Sequence, residues 1–157
     1  MRGNEKVLAY LNEGLKAELT AINQYFLHAE MCDNWGYKRL GDHTKKESID
    51  EMKHAEALIE RILLLEGTPT MHELFALKIG ATVKEQLEND LALEVAAVAR
   101  LNGAIKTSVE AGDNGSRDLF EKILTDEEGH IDWLEAQLHV IQEIGIENYL
   151  AQQMHED

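Results

Sequence analysis

Two stretches, Glu51-Met52-Lys53-His54 and Glu127-Glu128-Gly129-His130, place a Glu and a His three positions apart within two long helical patterns. An α-helix turns by about 100° per residue, so residues three apart lie on nearly the same face. Each stretch therefore directs one carboxylate and one imidazole towards a common point. If the two stretches face each other across a helical bundle, they supply four ligands to a pair of metal ions.

A di-metal carboxylate site in a four-helix bundle also needs one Glu from each of the other two helices. Glu18 and Glu94 are the candidates, because each lies mid-helix on the stripe that carries the leucines. A single Glu is more often a solvated surface residue, but that explanation does not fit four of them on apolar stripes. In this arrangement Glu51 and Glu127 bridge the metals. Carboxylates with two imidazoles suit iron or manganese, and zinc can also bind them.

The composition limits the class of protein. The chain has 157 residues, the length of one domain, with 30 acidic against 15 basic residues and a net charge of −15. An acidic surface repels nucleic acid and anionic membranes and attracts metal cations, so we expect neither a nucleic-acid nor a membrane partner. With a single cysteine, no apolar run long enough to span a bilayer and no signal-peptide pattern, the expected location is cytoplasmic.

Apolar residues that recur at steps of three and four predict an all-α chain with four long helices and a short fifth. As a single domain over residues 1–157, it would contain helices at about 5–35, 37–66, 82–110, 117–143 and 146–154. Ser116 is the predicted N-cap of the fourth helix.

The linker over residues 67–81 begins at Gly67-Thr68-Pro69, which ends the second helix. About 15 extended residues reach roughly 45–50 Å, which is the length of a helix of about 30 residues. The linker can therefore run the full length of the bundle, as the long crossover of a ferritin-like bundle does. Within it, His72–Leu77 could form a short turn.

The first helix carries a second apolar stripe, which contains Leu8, Leu19 and Phe26. One bundle core cannot cover two faces, so we expect this stripe to be buried against another subunit. Met52 lies about 100° from Glu51 and points out of the bundle. It could pack in that interface, which spacing alone favours, or it could ligate a haem held between subunits.

Several other polar residues have a functional and a structural interpretation. Tyr25 lies two turns from Glu18 and could either donate a hydrogen bond to a ligand carboxylate or be a core tyrosine. Trp133 is expected to pack. The remaining histidines share no ligand spacing and are expected to be surface residues or hydrogen-bonded core residues; they are His28, His43, His72, His139 and His155.

Three longer stretches, residues 21–28, 47–55 and 126–134, resemble the bacterioferritin family, and the resemblance covers essentially the whole chain. His130 separates this family from ferritins of the usual type. The resemblance implies a homo-oligomeric cage of twenty-four subunits, built of two-fold dimers, that stores iron as a ferric mineral. It implies a di-iron ferroxidase centre, oxidising Fe(II) with O2 or H2O2, whose ligands are Glu18, Glu51, His54, Glu94, Glu127 and His130.

The resemblance also favours the haem interpretation of Met52. Met52 residues of two subunits would ligate a haem b on the two-fold axis, in a pocket lined by Leu19, Ile22, Asn23 and Phe26. During iron release, the haem would pass electrons inward from a small ferredoxin.

The inner-surface iron site departs from the family pattern. Lys45 and Lys46 stand where several family members carry a tyrosine and a histidine, and that histidine joins Asp50 in the site. Asp50 remains, but a protonated lysine cannot ligate iron. The route of electrons or iron to the mineral is therefore open.

Three alternatives accompany this interpretation. A di-iron oxidase or peroxidase of the same fold, without storage, would form a small oligomer that binds about two irons per chain. A DNA-protecting cage is expected to carry a basic tail. A purely structural bundle would lose its metal without any spectral or kinetic consequence.

Overall fold

A computed structural model describes residues 1–155, and over this range it contains five α-helices and no strand. The helices are α1 (Glu5–Trp35), α2 (Lys38–Leu64), α3 (Val83–Glu110), α4 (Asn114–Ile144) and α5 (Ile146–Gln153). The predicted all-α fold, with a short fifth helix, is confirmed. The last two residues of the predicted domain, 156 and 157, lie outside the described part of the chain.

The order of the helices around the bundle follows from their contacts. α1 packs along α2 and α3 packs along α4, while α1 also contacts α3 and α2 contacts α4. The cyclic order is therefore α1, α2, α4, α3. The α1–α3 side of the bundle lies opposite the α2–α4 side, and each side offers a separate approach to the interior.

The apolar core is divided into two clusters. One contains Val7, Leu11, Leu15, Leu58, Ile62 and Phe120 among others. The other contains Cys32, Leu40, Val83, Leu87, Leu134, Ile141 and Tyr149. Each fully buried large side chain contributes about 1.5–3 kcal/mol. The two clusters hold the helices together on either side of a buried polar layer.

The start of α4 differs from the prediction. The helix begins at Asn114, and its N-cap is Asp113, which accepts a hydrogen bond from the backbone N–H of Ser116 at 2.9 Å. Arg61 of α2 fixes this carboxylate, since its Nη2 donates to Asp113 Oδ1 at 2.7 Å. Gly115 makes room for the guanidinium, because a Cβ there would lie 2.5 Å from Arg61 Nη2. Predicting Ser116 as N-cap was therefore wrong.

The crossover between α2 and α3 has no helix, and the short turn expected at His72–Leu77 is not formed. Side chains of α1 bind the backbone of this segment instead. The bonds run from Thr70 N–H to Asn12 Oδ1 (2.9 Å), Phe75 N–H to Thr20 Oγ1 (2.9 Å), Lys78 N–H to Gln24 Oε1 (3.1 Å) and Gly80 N–H to His28 Nε2 (3.0 Å). The acceptors follow α1 in order, so the crossover runs along the length of the bundle as predicted.

α5 is short and depends on packing, as expected for eight residues. Tyr149 is buried, and its hydroxyl donates to Gln137 Oε1 of α4 at 2.8 Å. Among the described helices, none is both long and apolar enough to cross a membrane.

Candidate metal centre

All six residues predicted as metal ligands meet between the two apolar clusters. Four helices contribute: Glu18 from α1, Glu51 and His54 from α2, Glu94 from α3, and Glu127 and His130 from α4. Their ligand atoms form two groups, and within each group all atoms lie within 4.8 Å of one another. The groups are Glu18, Glu51, His54 and Glu127, and Glu51, Glu94, Glu127 and His130. Glu51 and Glu127 belong to both groups, which is the arrangement that two bridging carboxylates require.

Every one of the six side chains has a buried polar atom without a hydrogen-bond partner. These atoms are Glu18 Oε2, Glu51 Oε1, His54 Nδ1, Glu94 Oε2, both carboxylate oxygens of Glu127, and His130 Nδ1. Glu94 and Glu127 are fully buried. An unsatisfied buried polar group costs about 1–3 kcal/mol, so such a cluster is unfavourable by itself. Bound cations would compensate it, and the donor set therefore fits a pair of metal ions.

Both imidazoles present Nδ1 to the cluster and Nε2 to a carboxylate outside it. His54 Nδ1 lies 3.1 Å from Glu127 Oε1, and its Nε2 lies 2.8 Å from Asp126 Oδ2. His130 Nδ1 lies 3.3 Å from Glu51 Oε1, and its Nε2 pairs with Glu47. A carboxylate on the far nitrogen fixes the ring orientation and leaves Nδ1 free to accept a metal.

Glu47 and Asp126 were not among the predicted site residues. Glu47 could have been found, because it lies four residues before Glu51 on the same face of α2. Asp126 gives no such signal in the sequence, because it is adjacent to Glu127 and not one helical turn away from it. In the structure its side chain is 61% exposed.

The carboxylates and imidazoles shift one another's pKa strongly. Burial lowers the pKa of His54, but Glu127, Glu18 and Asp126 outweigh it and raise the pKa to about 11. Burial likewise opposes protonation of His130, and the nearby carboxylates raise its pKa to about 10. Without metal, the two imidazoles are therefore cations that neutralise part of the buried negative charge.

The four neighbouring acids divide into two kinds. Burial raises the pKa of Glu127 and of Glu47, but adjacent imidazoles reverse this and hold both at about 2. Burial raises the pKa of Glu18. Burial also raises the pKa of Glu51, and the nearby charges of Glu18 and Glu127 raise it further, well above its usual range. The cluster without metal thus holds protons on some carboxyls and on both imidazoles.

Tyr25 donates its hydroxyl hydrogen bond to Glu94 Oε1. Burial, together with the surrounding carboxylates, raises the pKa of Tyr25 well above its usual range, so the phenol keeps its proton. Tyr25 is thus a buried tyrosine whose hydroxyl contacts a carboxylate of the cluster, and its role beside bound metal stays a prediction.

An open cavity of about 500 Å³ leads to the cluster from the α2–α4 side. It is lined by Glu47, Asp50, Lys53, His54, Thr125, Asp126, Gly129 and His130. Glu47, Asp50 and His130 also form a third group of possible ligand atoms. Lys45 and Lys46 are exposed, and neither lines this cavity.

The residues predicted to bind haem lie at the surface of this single chain. Met52 and Phe26 are 53% and 52% exposed, Asn23 is exposed, and Leu19 and Ile22 are half-buried. Ser48 Oγ donates to the carbonyl of Ile22 at 2.8 Å, which brings α1 and α2 together beside Met52. Exposed apolar side chains on two adjacent helices fit an interface or a haem face.

The other histidines and Trp133 have ordinary contacts. His28 is buried, with Nδ1 2.9 Å from Asp90 Oδ1, and His43 stacks on Trp133 at 3.7 Å between ring centroids. His72, His139 and His155 are exposed.

Comparison with known proteins places the chain in a family. Residues 8–144 match the ferritin-like domain. The chain is 53% identical over 152 residues to the bacterioferritin of Mycolicibacterium paratuberculosis, covering 97% of this chain and 96% of that protein. It is 47% identical over 151 residues to the bacterioferritin of Streptomyces coelicolor, covering 96% and 90%. The resemblance inferred from the sequence is thereby confirmed, and the chain belongs to the bacterioferritin family of ferritin-like proteins.

Proposed function

We propose that the chain binds two Fe(II) ions in the buried cluster and oxidises them to Fe(III). Glu18 and His54 would hold one iron, Glu94 and His130 the other, and Glu51 and Glu127 both. The observation that carries this proposal is the pair of ligand groups that share two carboxylates. Four carboxylates carry four negative charges, which balance two divalent cations if both imidazoles are neutral.

The protein's part in this reaction is to bind, orient and exchange protons. Fe(II) displaces the protons from His54 and His130, and the Nε2 atoms stay hydrogen-bonded to carboxylates, which keeps each ring in place. Tyr25 holds Glu94 through its hydroxyl. Two Fe(II) ions each give one electron to O2, which takes up two protons to become H2O2; with H2O2 as oxidant, two electrons and two protons yield water. Buried anionic ligands favour Fe(III) over Fe(II).

The same family membership supports iron storage, and we propose that the oxidised iron is kept as a ferric mineral inside a homo-oligomeric cage of twenty-four subunits built from two-fold dimers. An acidic chain with a net charge of −15 attracts Fe(II) to such an assembly. Asp50, in the cavity on the α2–α4 side, is the proposed inner-surface contact for iron. Lys46 lies one helical turn before Asp50 on α2 and, with Lys45, adds positive charge to that part of the helix.

Haem b is proposed at the two-fold interface, with Met52 of each subunit as axial ligand and Leu19, Ile22, Asn23 and Phe26 around the ring. The apolar surface around the exposed Met52 supports this placement. Haem iron supplies one-electron transfer when bound. Electrons for mineral reduction would come from a small ferredoxin.

Rapid-mixing oxidation tests the ferroxidase proposal. The double variant Glu51→Ala, Glu127→Ala lacks both shared carboxylates, so rapid oxidation of Fe(II) should be lost while the assembly remains intact by gel filtration. The double variant Glu56→Ala, Glu128→Ala changes exposed residues of the same two helices and should react like the parent. Parent-like kinetics in the first variant would disprove the assignment.

A further inference from the structure

A narrow internal gap of about 20 Å³ lies between α1 and α3, apart from the open cavity on the α2–α4 side. Small residues of the two helices form its walls, namely Gly14, Ala17, Ala97 and Ala104. Core residues Leu58, Phe120 and Ile123 line it further in, together with Glu18 of the metal cluster. We propose that this gap is a dioxygen site and the route by which O2 reaches the metal centre, an inference that rests on the proposed ferroxidase function.

The lining of the gap selects a small neutral molecule. Between the Glu13–Arg100 pair at one end and Glu18 at the other, the lining is mainly alanine, leucine and phenylalanine. A cation that passed through so narrow a space would lose its hydration shell, which is strongly unfavourable. Dioxygen has no charge, so it loses little hydration free energy when it enters the gap. A space of about 10–15 Å³ holds one water-sized molecule, so a volume of about 20 Å³ takes one diatomic molecule.

The gap reaches the metal cluster at Glu18. This residue is only 5% exposed, and its Oε2 has no hydrogen-bond partner. A molecule in the gap therefore lies beside an iron ligand whose free oxygen is not held by another protein group.

The outer end of the gap carries an ion pair. Arg100 lines the gap, with its Nε 3.7 Å from Glu13 Oε1 and its guanidinium carbon 4.5 Å from the centre of the Phe75 ring. Its Nη1 is buried and has no hydrogen-bond partner. Tyr10 packs beside it against Gly103, where a Cβ would lie 2.9 Å from the hydroxyl. Because Arg100 neutralises Glu13, the entrance offers no net negative charge to attract Fe(II), and the pair does not affect O2.

The opening on the opposite side of the bundle has the contrary chemistry. Glu47, Asp50 and Asp126 line it, together with Lys53 and the imidazoles of His54 and His130, which lose their protons when metal binds. Hydrated Fe(II) and polar H2O2 are suited to this wide acidic cavity. Metal and dioxygen would thus approach the centre from opposite sides, which keeps the oxidant path dry.

Variants that fill the gap test whether O2 and the metal reach the centre by separate routes. Ala97→Leu places a larger side chain in the wall, and Gly14→Ala is a milder change, since the new Cβ would lie 3.5 Å from Leu58 Cδ1, an ordinary contact. We expect both variants to bind Co(II) like the parent and to oxidise Fe(II) with H2O2 at the parent rate. With O2, the apparent second-order rate constant should fall several-fold in Ala97→Leu and less in Gly14→Ala.

Ala99→Leu is the matched control, because it makes the same change at an exposed position of α3. If Ala97→Leu fails to fold, Gly14→Ala decides the question. Parent-like O2 kinetics in the folded variants, or equal slowing with O2 and H2O2, would overturn the proposal. A parent protein that neither binds Co(II) nor oxidises Fe(II) would overturn the proposed function instead.

A readout independent of turnover comes from metal-free crystals under krypton, an apolar atom that fits sites suited to dioxygen. We expect krypton density in the gap beside Ala97 in the parent and none there in Ala97→Leu. A parent crystal without krypton at this position would count against the site.

Discussion

Glu127 allows a quantitative test of the proposed metal centre. It is fully buried, it belongs to both ligand groups, and its two oxygens lie 3.1 Å from His54 Nδ1 and 3.6 Å from His130 Nδ1. Glu127→Gln keeps the shape of the side chain and removes one negative charge. Three carboxylates then face two divalent cations, so one unit of positive charge is left uncompensated in the interior.

An uncompensated buried charge costs about 3–5 kcal/mol. Because about 1.4 kcal/mol corresponds to a tenfold change in affinity, the loss should be about a hundredfold to a few thousandfold, summed over the two metal ions. Anaerobic calorimetric titration with Co(II), a stand-in for Fe(II) that is not oxidised in the assay, measures this directly. The second Co(II) should be lost or strongly weakened.

The adjacent residue provides the control. Glu128→Gln removes the same charge from an exposed position of α4 and should leave both Co(II) affinities within about twofold, as is usual for a screened surface charge. If Glu127→Gln also binds two Co(II) ions with parent affinity, the buried cluster is not the metal site.

Three further predictions concern protons, the helix cap and haem. Metal binding must displace protons from His54 and His130, whose pKa values are raised to about 11 and about 10. Co(II) affinity should therefore fall as the pH is lowered from about 8 to about 6. The released protons should make the heat measured by calorimetry depend on the buffer. Asp113→Asn weakens the cap of α4 and its ion pair with α2, and should lower the free energy of unfolding by about 1 kcal/mol in urea titrations, whereas Asp118→Asn on the surface should change it little. Met52→Leu keeps an apolar side chain but removes the thioether, so haem absorbance should disappear while the assembly and Fe(II) oxidation stay intact; a variant that retains haem would exclude Met52 as its ligand.

The cluster could be predicted because helical periodicity is a local property. Glu51 and His54 lie one turn apart on any α-helix, and Glu18 and Glu94 share stripes with leucines that must face the core. Given four helices with these faces inward, the side chains have few places to meet. The sharing of Glu51 and Glu127 could therefore be predicted without detailed knowledge of the packing.

What the sequence did not reveal depends on contacts between distant segments. The cap of α4 is Asp113 rather than Ser116 because Arg61, 52 positions away, holds its carboxylate. Both residue types are good N-caps, so local preference could not decide between them. The contact of Asp126 with His54 similarly depends on how α4 lies against α2, which no periodicity specifies.

The crossover shows the same limit. Its length predicted that it could span the bundle, but its hydrogen bonds to Asn12, Thr20, Gln24 and His28 come from α1. These residues are four or eight positions apart along one face of the helix, a pattern that has meaning only once the partner segment is known.

Aerobic loading tests the central claim most directly. The protein is given excess Fe(II) in air and passed through a gel-filtration column, and iron and protein are measured in each fraction. The proposed function predicts iron far above two per chain, eluting with a very large particle. Iron that stops near two per chain on a small oligomer would contradict storage and leave a di-iron oxidase or peroxidase of the same fold.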